Sequence, residues 1–409
     1  MIGTFDVLIV GSGHAGAHAA ICLRQNGFSG SIAICGREEV PPYERPPLTK
    51  EYLAQTKPFE RMQLRPAKFW VEKDIALKLG CEVASVDAEG KTVQLASGEQ
   101  FGYDKLIWAA GGRPRALECA GNELGGIYTI RNKTDVDKIV AEIGGAVRRI
   151  GVVGGGYIGL EAAASLRGLG HEVTLAVAGP RLLSRVAGTA ISGFLATQHR
   201  KQGVDLRLES KVTAIEGVGN RVSRICLDRG DRVACDFLIV GIGISPEVEV
   251  LADAGAECGN GVRVDPFCRT SLPNIYAIGD CAEHANPYAD GAIIRLESVQ
   301  NANDMAGTAA RHICGKDQPY CALPWFWSNQ FGLRLQTAGL SSSHDRAVTR
   351  GCPSGGSFSV LYLKQDRVIA IDSVNAMKDY VQGRKLIETR AKLRAEDLAD
   401  TARQLKELV

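Results

Sequence analysis

The sequence predicts an α/β protein: two Rossmann-like dinucleotide-binding domains, one inserted in the other, followed by a small C-terminal α+β domain. Three observations carry this. Gly11-Ser12-Gly13-His14-Ala15-Gly16 follows directly on the apolar run 5–10. Gly154-Gly155-Gly156-Tyr157-Ile158-Gly159 follows in the same way on 149–153. Beyond about residue 321 the pattern changes to alternating, β-rich runs. In each glycine fingerprint the first glycine serves a tight turn, the second lets a pyrophosphate approach the backbone, and the third lets helix pack on strand. The phosphates then meet free N–H groups at the positive end of a helix. One fingerprint is a weak signal. Two in strand–helix context point to two dinucleotides on one chain, and so to a redox relay.

Composition narrows the class. A chain of 409 residues is too long for one ordinary core. Hydrophobic residues make up 45% and charged residues 23%, as in soluble globular proteins. A net charge of +2 argues against a dedicated nucleic-acid or membrane-surface binder. No run approaches the roughly 18 apolar residues that span a bilayer. The stretch 7–10 meets Gly11 at once and reads as a buried strand rather than a signal peptide, so a cytoplasmic location is expected. The 12 cysteines, from Cys22 to Cys352, include no CxxC or CxxxxC pair. That leaves no zinc or iron–sulfur ligand set and no vicinal dithiol of the kind a pyridine-nucleotide disulfide reductase needs beside its flavin. Free, mostly buried thiols in a reducing compartment are expected.

The elements follow in order. The first fingerprint leads through a helix to a strand at 31–35. The segment Pro41-Pro42-Tyr43-Glu44-Arg45-Pro46-Pro47-Leu48-Thr49-Lys50 can be neither regular helix nor central strand, because each proline removes a donor and biases its predecessor; it is a fixed loop. A strand at 101–110 ends in Ala109-Ala110-Gly111-Gly112, a crossover out of the first domain. The second fingerprint opens a helix at 157–167, stopped by Gly168 and Gly170, and a strand at 173–177 follows. Strands at 236–241, closing on Gly241-Ile242-Gly243, and at 275–280, with Asp280 at the carboxyl end, return the chain to the first domain. Ligands of open α/β sheets bind at such ends. The expected domains are therefore 1–112 with 241–320, then 113–240, then 321–409. In the last, runs at 334–338, 358–363 and 368–374 read as strands, Lys364-Gln365-Asp366-Arg367 as a hairpin turn, and Asn375 as the cap of a helix in a charged tail.

Several side chains carry chemistry. Glu38, about 20 residues beyond the first glycines, suits an adenosine ribose, and Arg37 can stack on adenine; a solvated charge cluster is the alternative. His14 and His18 have the spacing of paired metal ligands, but His14 fills a variable slot in the dinucleotide turn and no third ligand joins them, so no metal is expected. The proline-fixed loop delivers Arg45 and Lys50 to rigid positions, where a cation can stabilise negative charge arriving on a flavin. Glu161, inside the second fingerprint's helix, is the partner for Lys50 and sits where a nicotinamide nucleotide would lie. The alternative is a surface ion pair of little energetic value.

The order GxGxxG, PPYERPPLTK, GGGYIGLE, NIYAIGDCA, RLESVQNA (295–302) and PWFWSNQ (324–330) resembles the FAD-dependent, NADH-linked ferredoxin reductases of bacterial cytochrome P450 and ring-hydroxylating dioxygenase systems, along essentially the whole chain. The resemblance implies noncovalent FAD, NADH as hydride donor and a [2Fe–2S] ferredoxin as acceptor, with a cytochrome P450 or dioxygenase beyond it. It places Ala15, Lys50, Val83, Arg131, Asp280 and Val299 at FAD, with Asp280 on the ribitol and the stretch from Glu297 to Asn301, including Ser298 and Val299, bordering the isoalloxazine. Gly11, Gly13, His14, Gly16, Arg37, Glu38, Arg45 and Ala110 complete the expected FAD set. Gly154, Gly156, Tyr157, Ile158, Gly159, Glu161 and Gly243 are expected to line the NAD site. Trp327 would lie beside the flavin on the acceptor side, or else in the core. Lys50, Glu161 and Trp327 are the expected catalytic set, and Arg311, Lys364 and Arg367 are candidates for a basic docking rim.

Two departures matter. The family pattern has Asp where this chain has Asn329, and an acid on the NAD ribose where it has Val177. Val177 cannot repel a 2′-phosphate, and Arg181 could attract one, so NADPH becomes possible. Rival readings on the same scaffold are rubredoxin, monodehydroascorbate or a nitrite-reductase subunit as acceptor. A nucleic-acid-binding flavoprotein resembling apoptosis-inducing factor is disfavoured by the near-neutral charge.

Overall fold

The computed structural model describes residues 3–408. The chain folds into two units: one holds the residues up to Arg45, Phe59–Arg113 and Ser245–Pro324, the other Pro46–Pro58, Pro114–Ile244 and Trp325 onward.

The first unit is built on five parallel strands in the order Ile75–Leu79, Ile32–Gly36, Gly3–Val10, Gln100–Trp108, Ile275–Ala277. Val7, Leu8 and Ile9 are fully buried, as an unbroken apolar run must be when both sheet faces are covered. Helix His14–Gln25 lies against the sheet and packs beside helix Val299–Ile313. Its buried residues include Ala15, Gly16, Ala17, Ala19 and Ala20, small enough to let the backbones approach. A hairpin of Val83–Asp87 and Thr92–Leu95 extends the sheet from strand Gln100–Trp108. The return of the chain after the second fingerprint is realised by Ile275–Ala277 pairing with Leu106–Trp108.

The second unit repeats the plan. Parallel strands run in the order Asp205–Arg207, Glu172–Ala176, Arg149–Val153, Phe237–Val240, Ile127–Tyr128. Helix Tyr157–Gly168 follows the fingerprint, and helix Thr189–Lys201 leads into strand Asp205–Arg207. A five-stranded antiparallel sheet follows, ordered Trp325–Gln330, Leu333–Gly339, Arg367–Val374, Ser357–Lys364, Arg346–Cys352, and helix Met377–Glu388 packs on it. Its hairpin turns at Gln365 and Asp366, whose φ angles of 52° and 60° are those of a two-residue primed turn.

Three local expectations need correction. The proline segment contains a short 3-10 helix, Pro46–Thr49, because proline is tolerated in a first turn, where its missing N–H has no helical partner anyway. Asn375 does not cap the last long helix: it sits at φ 50°, and its side chain accepts from the Arg334 N–H and donates to the Gly356 carbonyl, tying strand ends together. Ala376 takes the cap position. The 12 free cysteines divide into five buried, five half-buried and two exposed.

The buried face of the antiparallel sheet carries Asp372. Its carboxylate accepts from the Tyr362 hydroxyl at 2.6 Å, and that hydroxyl accepts from the Gly188 N–H at 3.0 Å. Burial pushes the Asp372 carboxyl up to about 7. An unfolded aspartate titrates near 3.9, so between about pH 4 and 7 the folded state binds more protons than the unfolded one. Stability from this group is therefore present in acid and lost as pH rises through that window. Asp372→Asn keeps an acceptor for Tyr362 and is expected to flatten the fall of Tm from pH 4 to 8. A variant whose Tm falls as steeply as the parent's would assign the slope to another group.

Candidate functional site

In the first unit, Gly11 stands at φ 111°, and a Cβ there would meet the Ala109 carbonyl oxygen at 2.2 Å. A Cβ on Gly16 would meet the Gly11 carbonyl oxygen at 1.9 Å. Both positions are closed by backbone. A Cβ on Gly13, which caps helix His14–Gln25, would meet only the Arg45 guanidinium, at 3.7 Å. Two glycines make the turn, and the middle one leaves room beneath a cation. His14 and Ala15 open the helix, and Ala110 follows the strand that flanks Gly11. Arg45 donates to Glu38 at 2.7 Å, and the Tyr43 hydroxyl donates to the other Glu38 oxygen at 2.6 Å. Glu38 is thus an anchored carboxylate, not a member of a solvated cluster. Arg37 is exposed and paired with Glu82 and Glu247.

Asp280 lies in the single turn Gly279–Cys281 that ends strand Ile275–Ala277, and Gly279 packs against Ala15. Sequence reasoning missed Arg295, which donates to the Asp280 carbonyl and pairs with Glu297, both at 2.8 Å. It holds two segments of the predicted site together; its only signal was its place in the RLESVQNA motif. Ser298 caps helix Val299–Ile313 by accepting from the Asn301 N–H, so Glu297, Ser298 and Val299 form a helix N-terminus with free donors. Val83 is buried in the hairpin. The other expected FAD contacts, Lys50, Arg131 and Trp327, belong to the second unit. Arg131 directly precedes Asn132, the cap of helix Lys133–Ile143, and its N–H donates to Asp135.

The second fingerprint has the same construction. Gly154, at φ 117°, and Gly159 would place Cβ atoms 2.2 Å and 2.0 Å from the carbonyl oxygens of Gly241 and Gly154, whereas Gly156 faces open space. Tyr157 stacks on Phe326 with centroids 4.3 Å apart, Ile158 is exposed, and Gly243 stands open at φ 103°. Val177 follows the strand end at Ala176 and is 5% exposed. Its methyl lies 2.7 Å from where a Cβ on Gly155 would sit, so it packs on the fingerprint turn. The Arg181 guanidinium is committed to its own loop, donating to the carbonyls of Ala187 and Ser184 and to the Ser192 hydroxyl.

Lys50 and Glu161 form a buried ion pair, with side chains 12% and 4% exposed. This excludes the surface-pair alternative. The Thr49 hydroxyl donates to the same Glu161 oxygen at 2.5 Å, and the Ser328 hydroxyl donates to the other at 2.6 Å. Lys50 also donates to the Pro46 carbonyl at 3.0 Å, so the 3-10 turn holds its ammonium from behind. An open groove beside the pair is lined by Lys50, Ser165, Asn329, Gln330 and Phe331. Trp327 is half-exposed and stacks against Trp325, so it is not core. Asn329 is exposed. Among the described residues no cluster of three or more His, Cys, Asp or Glu is placed to hold a metal, and no helix is long and apolar enough to cross a membrane.

The family model for pyridine nucleotide-disulphide oxidoreductases matches residues 5–306, and that for the reductase C-terminal domain matches 325–409. The chain belongs to this flavoprotein reductase family. It is 52% identical to a ferredoxin–NAD(P)(+) reductase of a Sphingomonas species over 95% of this chain and 94% of that one. It is also 52% identical to the ferredoxin reductase subunit of a Sphingobium 5,5′-dehydrodivanillate O-demethylase, over 99% and 98%. The putidaredoxin reductase of a covalent reductase–putidaredoxin complex superposes with a TM-score of 0.95 at 35% identity, covering 99% and 98%. Membership in a family named for disulphide chemistry brings no dithiol to this reductase, whose cysteines include no CxxC pair.

Proposed function

We propose that this reductase takes hydride from a reduced nicotinamide nucleotide onto FAD and passes electrons singly to a [2Fe–2S] ferredoxin serving a monooxygenase or dioxygenase. The observation that carries the reading is two complete phosphate cradles on one chain followed by a reductase C-terminal domain. FAD, when bound, supplies the conversion of one two-electron transfer into two single ones. The chain's own residues bind and orient. The turn Gly11–Gly16, with Arg45, receives the FAD pyrophosphate, and Glu38 the adenosine end. Asp280, steadied by Arg295, receives the ribitol. The N–H groups that open helix Tyr157–Gly168 receive the nicotinamide nucleotide. Lys50, locked by Glu161, presents a fixed positive charge that favours the arrival of negative charge. Trp327 faces the acceptor. The family boundary at residue 325 supports a division of labour into FAD, nucleotide and acceptor domains. Free cysteines without a disulfide support a reducing, cytoplasmic setting.

Turnover through a [2Fe–2S] ferredoxin is expected to exceed oxygen consumption by orders of magnitude and to fall as salt rises, because charged docking faces steer the encounter and are screened. Steady-state rates with purified ferredoxin and rubredoxin test this. Faster turnover with rubredoxin would move the assignment to that acceptor, and salt-independent rates would remove the charged interface. Of the rim candidates, Arg311 is half-buried on helix Val299–Ile313 and reaches Thr308, while Lys364 and Arg367 flank the tip of the C-terminal hairpin.

Nucleotide preference follows from Val177. A valine packed on the fingerprint turn offers no acceptor to the ribose hydroxyls and no charge against a 2′-phosphate. Arg181, tied to its own loop, adds little attraction. NADH is expected to be favoured, by a narrower margin than an acid at this position would give. Val177→Glu is expected to widen the NADH/NADPH ratio of kcat/KM by about ten- to a hundredfold, mainly by weakening NADPH. An unchanged ratio would show that position 177 does not face the ribose.

A further inference from the structure

We propose that His199, Gln330 and Ser328 form a one-directional hydrogen-bond chain that positions the Glu161 carboxylate, and through it the Lys50 ammonium, for hydride transfer. The proposal rests on the role of the Lys50–Glu161 pair given above and extends it to three buried residues behind that pair.

The chain's polarity is set link by link. Glu161, paired with Lys50, can only accept, so the 2.6 Å contact of its Oε1 is a donation from Ser328 Oγ. That spends the single Ser328 proton. The 3.0 Å contact between Ser328 Oγ and Gln330 Nε2 is then a donation from the amide. The amide orientation follows, and Gln330 Oε1, 2.9 Å from His199 Nε2, accepts from the ring. His199 must therefore carry its proton on Nε2. Its Nδ1 is buried without a partner, which suits a bare lone pair, and burial holds the imidazole below its usual range, in the neutral form. His199 and Ser328 are wholly buried, and Gln330 is 3% exposed.

Four elements meet along this path: the turn Pro46–Thr49, helix Tyr157–Gly168, strand Trp325–Gln330 and helix Thr189–Lys201. Alternation along the strand puts Ser328 and Gln330 on one face and Trp327 on the other. Packing alone has no use for three buried polar side chains in series, since each is costly unless satisfied. What the series achieves is directional: every proton points toward Glu161. Oε1 is thereby held away from Lys50, leaving Oε2 to the ammonium and to Thr49. These are positioning residues.

The test uses the FAD-loaded full chain. Ser328→Ala removes the donor to Glu161, His199→Leu removes the start of the chain, and His199→Gln restores an N–H at the place of Nε2. In stopped flow, Ser328→Ala is expected to lower the limiting rate of flavin reduction by NADH about tenfold, the loss of one hydrogen bond to a charged group. His199→Leu, which loses a bond to the neutral Gln330 amide, is expected to lower it by a smaller but measurable factor. The dissociation constant for NADH should stay within about twofold, the range expected where ground-state binding is untouched, and His199→Gln should recover most of the rate. Independently of activity, nitrogen NMR of the His199 ring should report the neutral Nε2–H tautomer. A yellow, folded Ser328→Ala protein with the parent's limiting rate overturns the proposal. So does a His199→Gln protein as slow as His199→Leu, or an Nδ1–H ring. Should His199→Leu fail to fold, Ser328→Ala and the NMR tautomer decide. A parent protein that NADH does not reduce would instead overturn the assigned reaction itself.

Discussion

Gly11→Ala is expected to yield a colourless protein, whereas Gly154→Ala stays yellow but loses its response to NADH. Both glycines stand at positive φ, and in both the new methyl would lie 2.2 Å from a backbone carbonyl oxygen, of Ala109 in one case and Gly241 in the other. Neither oxygen belongs to a side chain that can swing away. Strain at such a φ costs about 1–3 kcal/mol and overpacking about as much again. The sum, roughly 2–6 kcal/mol, corresponds to at least about thirtyfold in affinity for the nucleotide that rests on the turn. The effects should separate because each turn is closed by its own sheet. Absorbance at flavin wavelengths gives FAD occupancy, and stopped-flow reduction gives the nucleotide response. A Gly154→Ala protein as colourless as Gly11→Ala would overturn the assignment of one nucleotide to each fingerprint.

Lys50→Ala should slow flavin reduction strongly while FAD remains bound. The ammonium is the fixed charge, and its removal leaves Glu161, 4% exposed, with a carboxylate facing Thr49 and Ser328 alone. Breaking a buried pair by deleting one partner costs about 3–5 kcal/mol, so a lower Tm is expected as well. The double variant Lys50→Met with Glu161→Gln separates the two effects: it removes the buried charge, so Tm should recover, but it restores no cation, so reduction should stay slow. A double variant that recovers both would make the pair purely structural, as would a Lys50→Ala protein with the parent's reduction rate.

Much of this was legible in the sequence because the signals are local. A strand end, three spaced glycines and a helix start lie within about a dozen residues, although the carbonyls that close on Gly11 and Gly154, those of Ala109 and Gly241, come from the ends of strands distant in the chain. The hairpin at Gln365-Asp366 is local in the same sense, since its primed turn is settled by two residues. Asn375 shows the limit. Its composition suits a helix cap, but a strand neighbour 41 residues away in sequence, Arg334, offers its N–H to the same side chain and wins. Val177 was readable as a missing acid. That it packs on Gly155, and that Arg181 is spent on its own loop, was not readable from the chain alone.

The sequence by itself determined the two glycine turns, the α/β class and the family, because each depends on residue types at fixed short spacings. Only the tertiary structure decided which charges are paired and which polar groups are enclosed. Lys50 and Glu161 stand 111 residues apart, and His199 and Gln330 131 apart. Whether such groups meet depends on which helix faces which strand. The energy of their meeting depends on water being excluded, and burial is a property of the packed chain, not of any segment of it.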